Sequence, residues 1–279
     1  MIPGYWGFLK QGGILQGYPF GKNVYYVGAD APVFGKRAQT IEDALGLMRP
    51  KDVLFLGPQA HEEGNLVIPE DLTNITIIGA GNRGACFIEP TVSSQNGLQV
   101  LADDVTLINV GVADGGTGTY GLRVGSTTVN PDRFRAYGSK FEGSAIGALF
   151  EGAGDLLLED CELAWAPIGI ELKANLVGFC TQIMLRRLKF HNNGTAGLSQ
   201  FSAAQCVDNL EMRDSFFDGN EDGTTPTKFI NLANAANHGL IAGNFFRFAT
   251  NATAQMTIGA GIFWGPNGTE AGWSLARPA

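Results

Sequence analysis

Asp155-Leu156-Leu157-Leu158-Glu159-Asp160-Cys161-Glu162-Leu163 returns as Gln182-Ile183-Met184-Leu185-Arg186-Arg187-Leu188-Lys189-Phe190. It returns again as Asn209-Leu210-Glu211-Met212-Arg213-Asp214-Ser215-Phe216-Phe217, each copy starting 27 residues after the last. The second and fourth positions are apolar in every copy and the sixth is charged. An apolar residue at every second position is the pattern of a strand with one buried face. A strand pattern that recurs every few tens of residues describes one unit stacked upon itself.

Working outward, four more segments fit the pattern: Asn74-Ile75-Thr76-Ile77-Ile78-Gly79, Asp104-Val105-Thr106-Leu107-Ile108-Asn109, Arg133-Phe134-Arg135-Ala136-Tyr137-Gly138 and Gly239-Leu240-Ile241-Ala242-Gly243-Asn244. Six intervals cover the 165 residues from Asn74 to Gly239, a mean period of 27.5. A second short strand follows each segment, as in Lys140-Phe141-Glu142, Glu162-Leu163 and Lys189-Phe190-His191. A further family opens with glycine: Gly97-Leu98-Gln99-Val100, Gly121-Leu122-Arg123-Val124, Gly147-Ala148-Leu149-Phe150, Gly169-Ile170-Glu171-Leu172 and Gly197-Leu198-Ser199-Gln200. Two or three short strands per turn at this period predict an all-β fold, a right-handed parallel β-helix. Like strands stack about 4.8 Å apart, so seven rungs rise roughly 29 Å.

Charge tests the register. Stacking places Lys140, Glu162 and Lys189 in one outward column, and Asp160, Arg187 and Asp214 in another, each alternating in sign. Opposite charges directly in register attract and like charges repel. These six residues are therefore expected to form a salt-bridge ladder.

Upstream, Thr40 and Asp43 form a helix-start pair, and Ile41, Ala44, Leu45 and Met48 make an apolar stripe that ends before Pro50. A short helix near residues 40–49 is expected to cover the first rung of the stack. The order is Tyr25-Tyr26-Val27, the Thr40 helix, Lys51-Asp52-Val53-Leu54-Phe55-Leu56-Gly57-Pro58 and Ile75-Thr76-Ile77-Ile78-Gly79-Ala80-Gly81. It resembles the opening of pectate-lyase-like β-helix proteins, especially those of bacteriophage virions. The resemblance spans residues 24 to 250. It is specific for fold and weak for activity, because that superfamily contains lyases, hydrolases, tailspikes and non-catalytic capsid-decoration proteins.

Composition excludes several classes. Glycine supplies 39 of 279 residues without a collagen period, and hydrophobic residues make up 44%, too many for a disordered chain. A net charge of −8 is the wrong sign for a phosphate-backbone binder, so no nucleic-acid partner is expected. Glycine interrupts every apolar run near the start, leaving neither a signal-peptide pattern nor a membrane span. The four scattered cysteines form no CxxC and read as reduced thiols of a protein made in a host cytoplasm.

The chemical motifs are thin. Gly79-Ala80-Gly81-Asn82-Arg83-Gly84 spells GxGxxG but runs into another strand instead of a helix, so it reads as a corner. His61, His191 and His238 are the only histidines and read as surface or corner residues. Asp218, Asn220 and Asp222 match the first half of a calcium loop, whose twelfth position is Phe229 instead of glutamate. Among acid pairs, Glu142 with Glu162 and Asp214 with Asp218 stand out, but Lys140 and Lys189 flank Glu162 and should hold it ionised. No catalytic residue, cofactor or metal site is assigned.

The ends carry the aromatics. Tyr5, Trp6, Phe8, Tyr18 and Phe20 lie in a glycine-rich stretch with Lys10 and Lys22 its only charges, and they read as a capsid-docking arm over residues 1–24. The β-helix is placed at 25–250, and residues 251–279 read as a cap or tail, with Phe245, Phe246, Phe248, Phe263, Trp264 and Trp273 suited to a contact between subunits. The resemblance then implies a non-enzymatic virion protein, a homotrimeric capsid decoration (cement) protein on the capsid exterior that contacts the major capsid protein. The alternative is a tailspike or tail-fibre protein that binds or depolymerises a host polysaccharide.

Overall fold

In a computed structural model of the chain, the described residues are 23–28, 35–81, 84–201, 207–218, 228–247, 256–269 and 272–274. Three sheets of 11, 10 and 8 strands wrap one apolar core, and each turn of the chain gives a strand to each sheet in order. The first sheet runs from Lys36–Arg37, beside Val24–Val27, to Ile262–Trp264, the second from Ala60–His61 to Gly272–Ser274, and the third from Leu66–Ile68 to Met256–Ile258. Among the described residues every strand pair is parallel except Asn267–Thr269 with Gly272–Ser274. This is the parallel β-helix expected from the sequence, about eight turns long.

The alternating apolar positions point inward. Leu156, Ile183 and Leu210 stack in register, as do Leu158, Leu185 and Met212, and all are essentially fully buried. Each such side chain contributes roughly 1.5–3 kcal/mol through burial. Inside the second sheet Phe190, Phe217 and Phe246 form a ring stack at 4.4 and 4.8 Å. Left-handed residues mark the turns of the first sheet. Asn74, Asp104 and Arg133 precede their strands, Asp155, Gln182 and Asn209 lie near the start of theirs, and Asn109, Gly138, Asp160, Arg187, Asp214 and Gly243 follow a strand; all have φ between 45° and 72°. Asparagine, aspartate and glycine reach this left-handed region at least cost, which is why polar or small residues punctuate the repeat.

Glycine opens the third-sheet strands for a steric reason. A Cβ on Gly121 would stand 2.0 Å from the Glu142 carbonyl oxygen, and one on Gly97 2.4 Å from that of Ala113. The second and third sheets approach too closely at this corner for any side chain. Polar groups buried at another corner are paired along the axis: the Leu188 amide donates to Ser215 Oγ at 3.1 Å, the Ser215 amide to Asn244 Oδ1 at 2.9 Å, and the Asn244 amide to Asn267 Oδ1 at 2.9 Å. Such pairing removes the cost of burying an unsatisfied amide.

The helix forms at Ile41–Leu47, with Thr40 Oγ1 accepting from the Asp43 amide at 3.0 Å. Glu63 adds a second cap, accepting from the amides of Ile41 and Glu42 at 2.7 and 3.0 Å. Ile41 and Ala44 are fully buried in the core.

Two details differ from the sequence reading. The seventh segment is slipped by one residue: Leu210 pairs with Gly239 and Met212 with Ile241, so Ile241 faces the core and Leu240 faces outward. A one-residue shift exchanges the two faces of a strand. The stack also continues past residue 250, because Met256–Ile258, Ile262–Trp264 and Asn267–Thr269 add a strand to every sheet. Phe246 and Trp264, read above as subunit-contact aromatics, are buried in the core. No helix among the described residues is long and apolar enough to cross a membrane.

Candidate functional site

The ladder residues lie on the outer face of the second sheet and beside the first. Lys140 stacks on Glu162 and Glu162 on Lys189, in the register the period predicts. Lys140 Nζ lies 3.3 Å from Glu162 and 2.6 Å from Glu142. Glu162 also receives His191 Nε2 at 3.0 Å, and this bond, ahead of the charge of Lys140, pulls its carboxyl down to about 2. Arg187 Nε binds Asp160 at 2.9 Å and its guanidinium also reaches Glu159; Asp214 makes no ion pair among the described residues. Arg186 and Arg213 stack directly, and Glu211 lies 3.0 Å from both, offsetting their repulsion.

Two of the three histidines, expected at the surface or at corners, are buried. His61 is buried in the inward column with Ile88, its Nε2 3.1 Å from the Gly57 carbonyl, and burial lowers its pKa. His191 is buried against Glu162, whereas His238 is exposed beside Asp208 at 3.2 Å. Asp218 is buried and lies 3.2 Å from Arg247; Asn220 and Asp222 fall outside the described residues. Tyr5, Trp6, Phe8, Tyr18 and Phe20 also lie outside the described residues. Among the described residues no group of three or more His, Cys, Asp or Glu side chains is arranged to hold a metal ion.

The site that the sequence reading missed is on the outer face of the third sheet, across the strands Tyr120–Gly125, Ile146–Glu151 and Ile168–Lys173. In this sheet Val124, Phe150 and Leu172 point into the core, so Arg123, Leu149, Glu151, Glu171 and Lys173 point outward. Glu151 has no exposed surface; it takes Lys173 Nζ at 2.9 Å and is hydrogen-bonded by the Arg123 guanidinium. Arg123 lies over the ring of Tyr120 and Lys173 over that of Phe201, at 5.7 and 4.9 Å. Glu171 is only 7% exposed and has no hydrogen bond or ion pair to a described residue. Burial raises its pKa; the charge of Lys173 lowers it and the smaller effect of Glu151 raises it.

Two carboxyls on one face thus have different environments. Glu151 is the anion of a three-residue ion cluster, while Glu171 is biased towards its protonated form. Separating the environments of paired carboxyls is how a fold assigns a proton donor and an anionic partner. The register Leu149–Glu171 and Glu151–Lys173 makes the two carboxyls diagonal neighbours, whose Cα atoms in a sheet are roughly 7–8 Å apart. The signal was present in Phe150-Glu151 and Ile170-Glu171-Leu172-Lys173, but it appears only when the glycine-opened strands are paired rung by rung.

No protein-family model matches the chain, and no curated protein matches it by sequence. Solved structures do match its fold. A pectin methylesterase from Aspergillus niger aligns with a TM-score of 0.57 and 16% identity over 90% of this chain and 86% of its own. A pectin methylesterase in complex with a hexasaccharide aligns at 0.57 and 10% identity, over 92% and 91% of the two chains. Pectate lyase Pel9A aligns at 0.52 and 12% identity over 81% of this chain and 69% of that one. At these identities the likeness is one of fold: the chain has the right-handed parallel β-helix of pectin-processing enzymes.

Proposed function

We propose that the chain binds an extended polysaccharide along the outer face of its third sheet and acts on it with Glu171 as proton donor. The observation that carries this reading is the isolated, buried carboxyl of Glu171 beside the Glu151–Arg123–Lys173 cluster. Cleavage at a glycosidic oxygen needs a proton delivered to the leaving group and a nucleophile at the glycosyl carbon. Glu171 can supply the first; Glu151 has no exposed surface, so solvent water takes the glycosyl carbon as the C–O bond breaks, and the Arg123 and Lys173 cations fixed by Glu151 orient the polymer. Pectin methylesterases and a pectate lyase share the fold, and one of the former is seen with a hexasaccharide, which supports a saccharide ligand.

Incubating the protein with a panel of bacterial surface and plant polysaccharides, and measuring both affinity electrophoresis and new reducing ends, tests it. Wild type should retard on at least one polymer and release ends from it. Glu171→Gln should lower the release at least 100-fold. Retardation on none of them removes the reading.

A second reading concerns location. The aromatic arm Tyr5, Trp6, Phe8, Tyr18 and Phe20, with the opening segments that resemble virion β-helix proteins, favours a homotrimer on a bacteriophage particle, docked to the major capsid protein. Gel densitometry of purified particles separates the two placements. A copy number near that of the capsid protein means a decoration protein, a handful means a tail component, and absence from the particle ends the virion reading.

A further inference from the structure

Trp165 turns the corner between the strands Glu162–Ala164 and Ile168–Lys173, and its φ is 53°. The register places Asn192, with φ 54°, at this corner one turn later. Glycine and asparagine are the residues that accept a left-handed backbone, whereas a bulky aromatic residue there is an outlier. Burial does not compensate, because Trp165 is 53% exposed. Its ring contact among the described residues is the edge of His191, with centroids 6.4 Å apart. A strained backbone that presents an exposed indole points to function in preference to packing.

The groups beside the indole are polar and held in place. His191 Nε2 lies 3.0 Å from Glu162, and Lys140 Nζ joins Glu162 to Glu142 at 3.3 and 2.6 Å. A pyranose ring offers one flat C–H face for an aromatic ring and a rim of hydroxyls for carboxylates and an ammonium. Trp165 is also on the same turn as Glu171, six residues earlier, so at most about 20 Å of backbone separates them. From this we infer that Trp165 is a stacking platform for one sugar ring of the polysaccharide, with the Glu142–Lys140–Glu162–His191 network binding its hydroxyls. The inference rests on the polysaccharide reading and gives the glycan a second contact, on the corner that leads to the face of Glu171.

Trp165→Asn installs the residue that the next turn uses at this corner. With the strain removed, its melting temperature should rise by about 2–4 °C. Its affinity for cellohexaose, maltohexaose or a galacturonate hexasaccharide, whichever wild type binds, should fall at least tenfold in calorimetric titration. Trp165→Phe keeps an aromatic face and should hold affinity within about threefold of wild type. A lower melting temperature in Trp165→Asn, or an affinity within twofold of wild type, would overturn the platform while leaving the polysaccharide reading standing. Absence of binding by wild type to all three oligosaccharides and to the polymers would instead remove the polysaccharide reading, and the platform with it.

Discussion

Two outer faces of the same β-helix hold their charges differently. On the second sheet, Lys140, Glu162 and Lys189 stack directly in one column, partly open to solvent. On the third sheet, Leu149 stands between Arg123 and Glu171 in one column, and Glu151 pairs both with Lys173 in its own column and diagonally with Arg123. In the first arrangement neighbouring charges pair with one another along and beside the column. In the second, two cations converge on one buried carboxylate, and a second carboxyl has no hydrogen bond or ion pair among the described residues. Reactive environments arise where stacking fails to neutralise a charge.

That contrast is broken most severely at Glu151. Glu151→Ala would leave Arg123 and Lys173 without their carboxylate and open a void, at a cost of roughly 2–4 kcal/mol in urea unfolding. Glu142→Ala on the other face removes a carboxylate from a lysine that keeps Glu162, and should cost less than about 1 kcal/mol. Equal losses would mean that the two faces are energetically alike.

The same contrast explains what could be read from the sequence. Direct stacking repeats at the period of the chain, so aligning the segments found the Lys140–Glu162–Lys189 column and the core positions Leu156, Ile183 and Leu210. Diagonal pairing needs two registers and the strand direction together, which hid Arg123 and Glu151. Leu240 was misplaced because Leu240-Ile241-Ala242 is apolar at three consecutive positions, and alternation cannot choose between the two phases. The eighth turn was missed because Thr257, Gly259 and Gly261 blur the pattern of its strands. His191, expected at the surface or a corner, is buried at the end of its strand, where Glu162 meets its Nε2 and Trp165 its ring edge.

Acid should separate the faces next. Glu162 is held at about 2 in the folded chain, below the ordinary glutamate range near 4.3, chiefly by His191 and Lys140. Its stabilisation is therefore complete above the unfolded value and is lost as pH falls from about 4.5 towards 2. Glu162→Gln should cost roughly 1–3 kcal/mol at neutral pH, and the gap in melting temperature to wild type should narrow steadily from about pH 4.5 down to pH 2. A gap between the two proteins that stays constant down to pH 2 would detach Glu162 from this network.

The smallest effect has the opposite sign and is the sharpest test of the comparison. Glu171 is raised by burial, which outweighs the opposing charge of Lys173, so the folded state holds its proton more tightly than the unfolded chain does. The corresponding stability is present below the unfolded value and is lost as pH rises through the folded one. Glu171→Gln cannot ionise and escapes that loss, so it should match wild type in acid and exceed it in stability at pH 8. Thermal melts of both proteins across this range would follow the divergence. If the ladder and the third-sheet face differ as described, Glu162→Gln costs stability where Glu171→Gln gains it, and a Glu171→Gln protein less stable than wild type at pH 8 would mean that its carboxylate, like that of Glu162, is held by a partner.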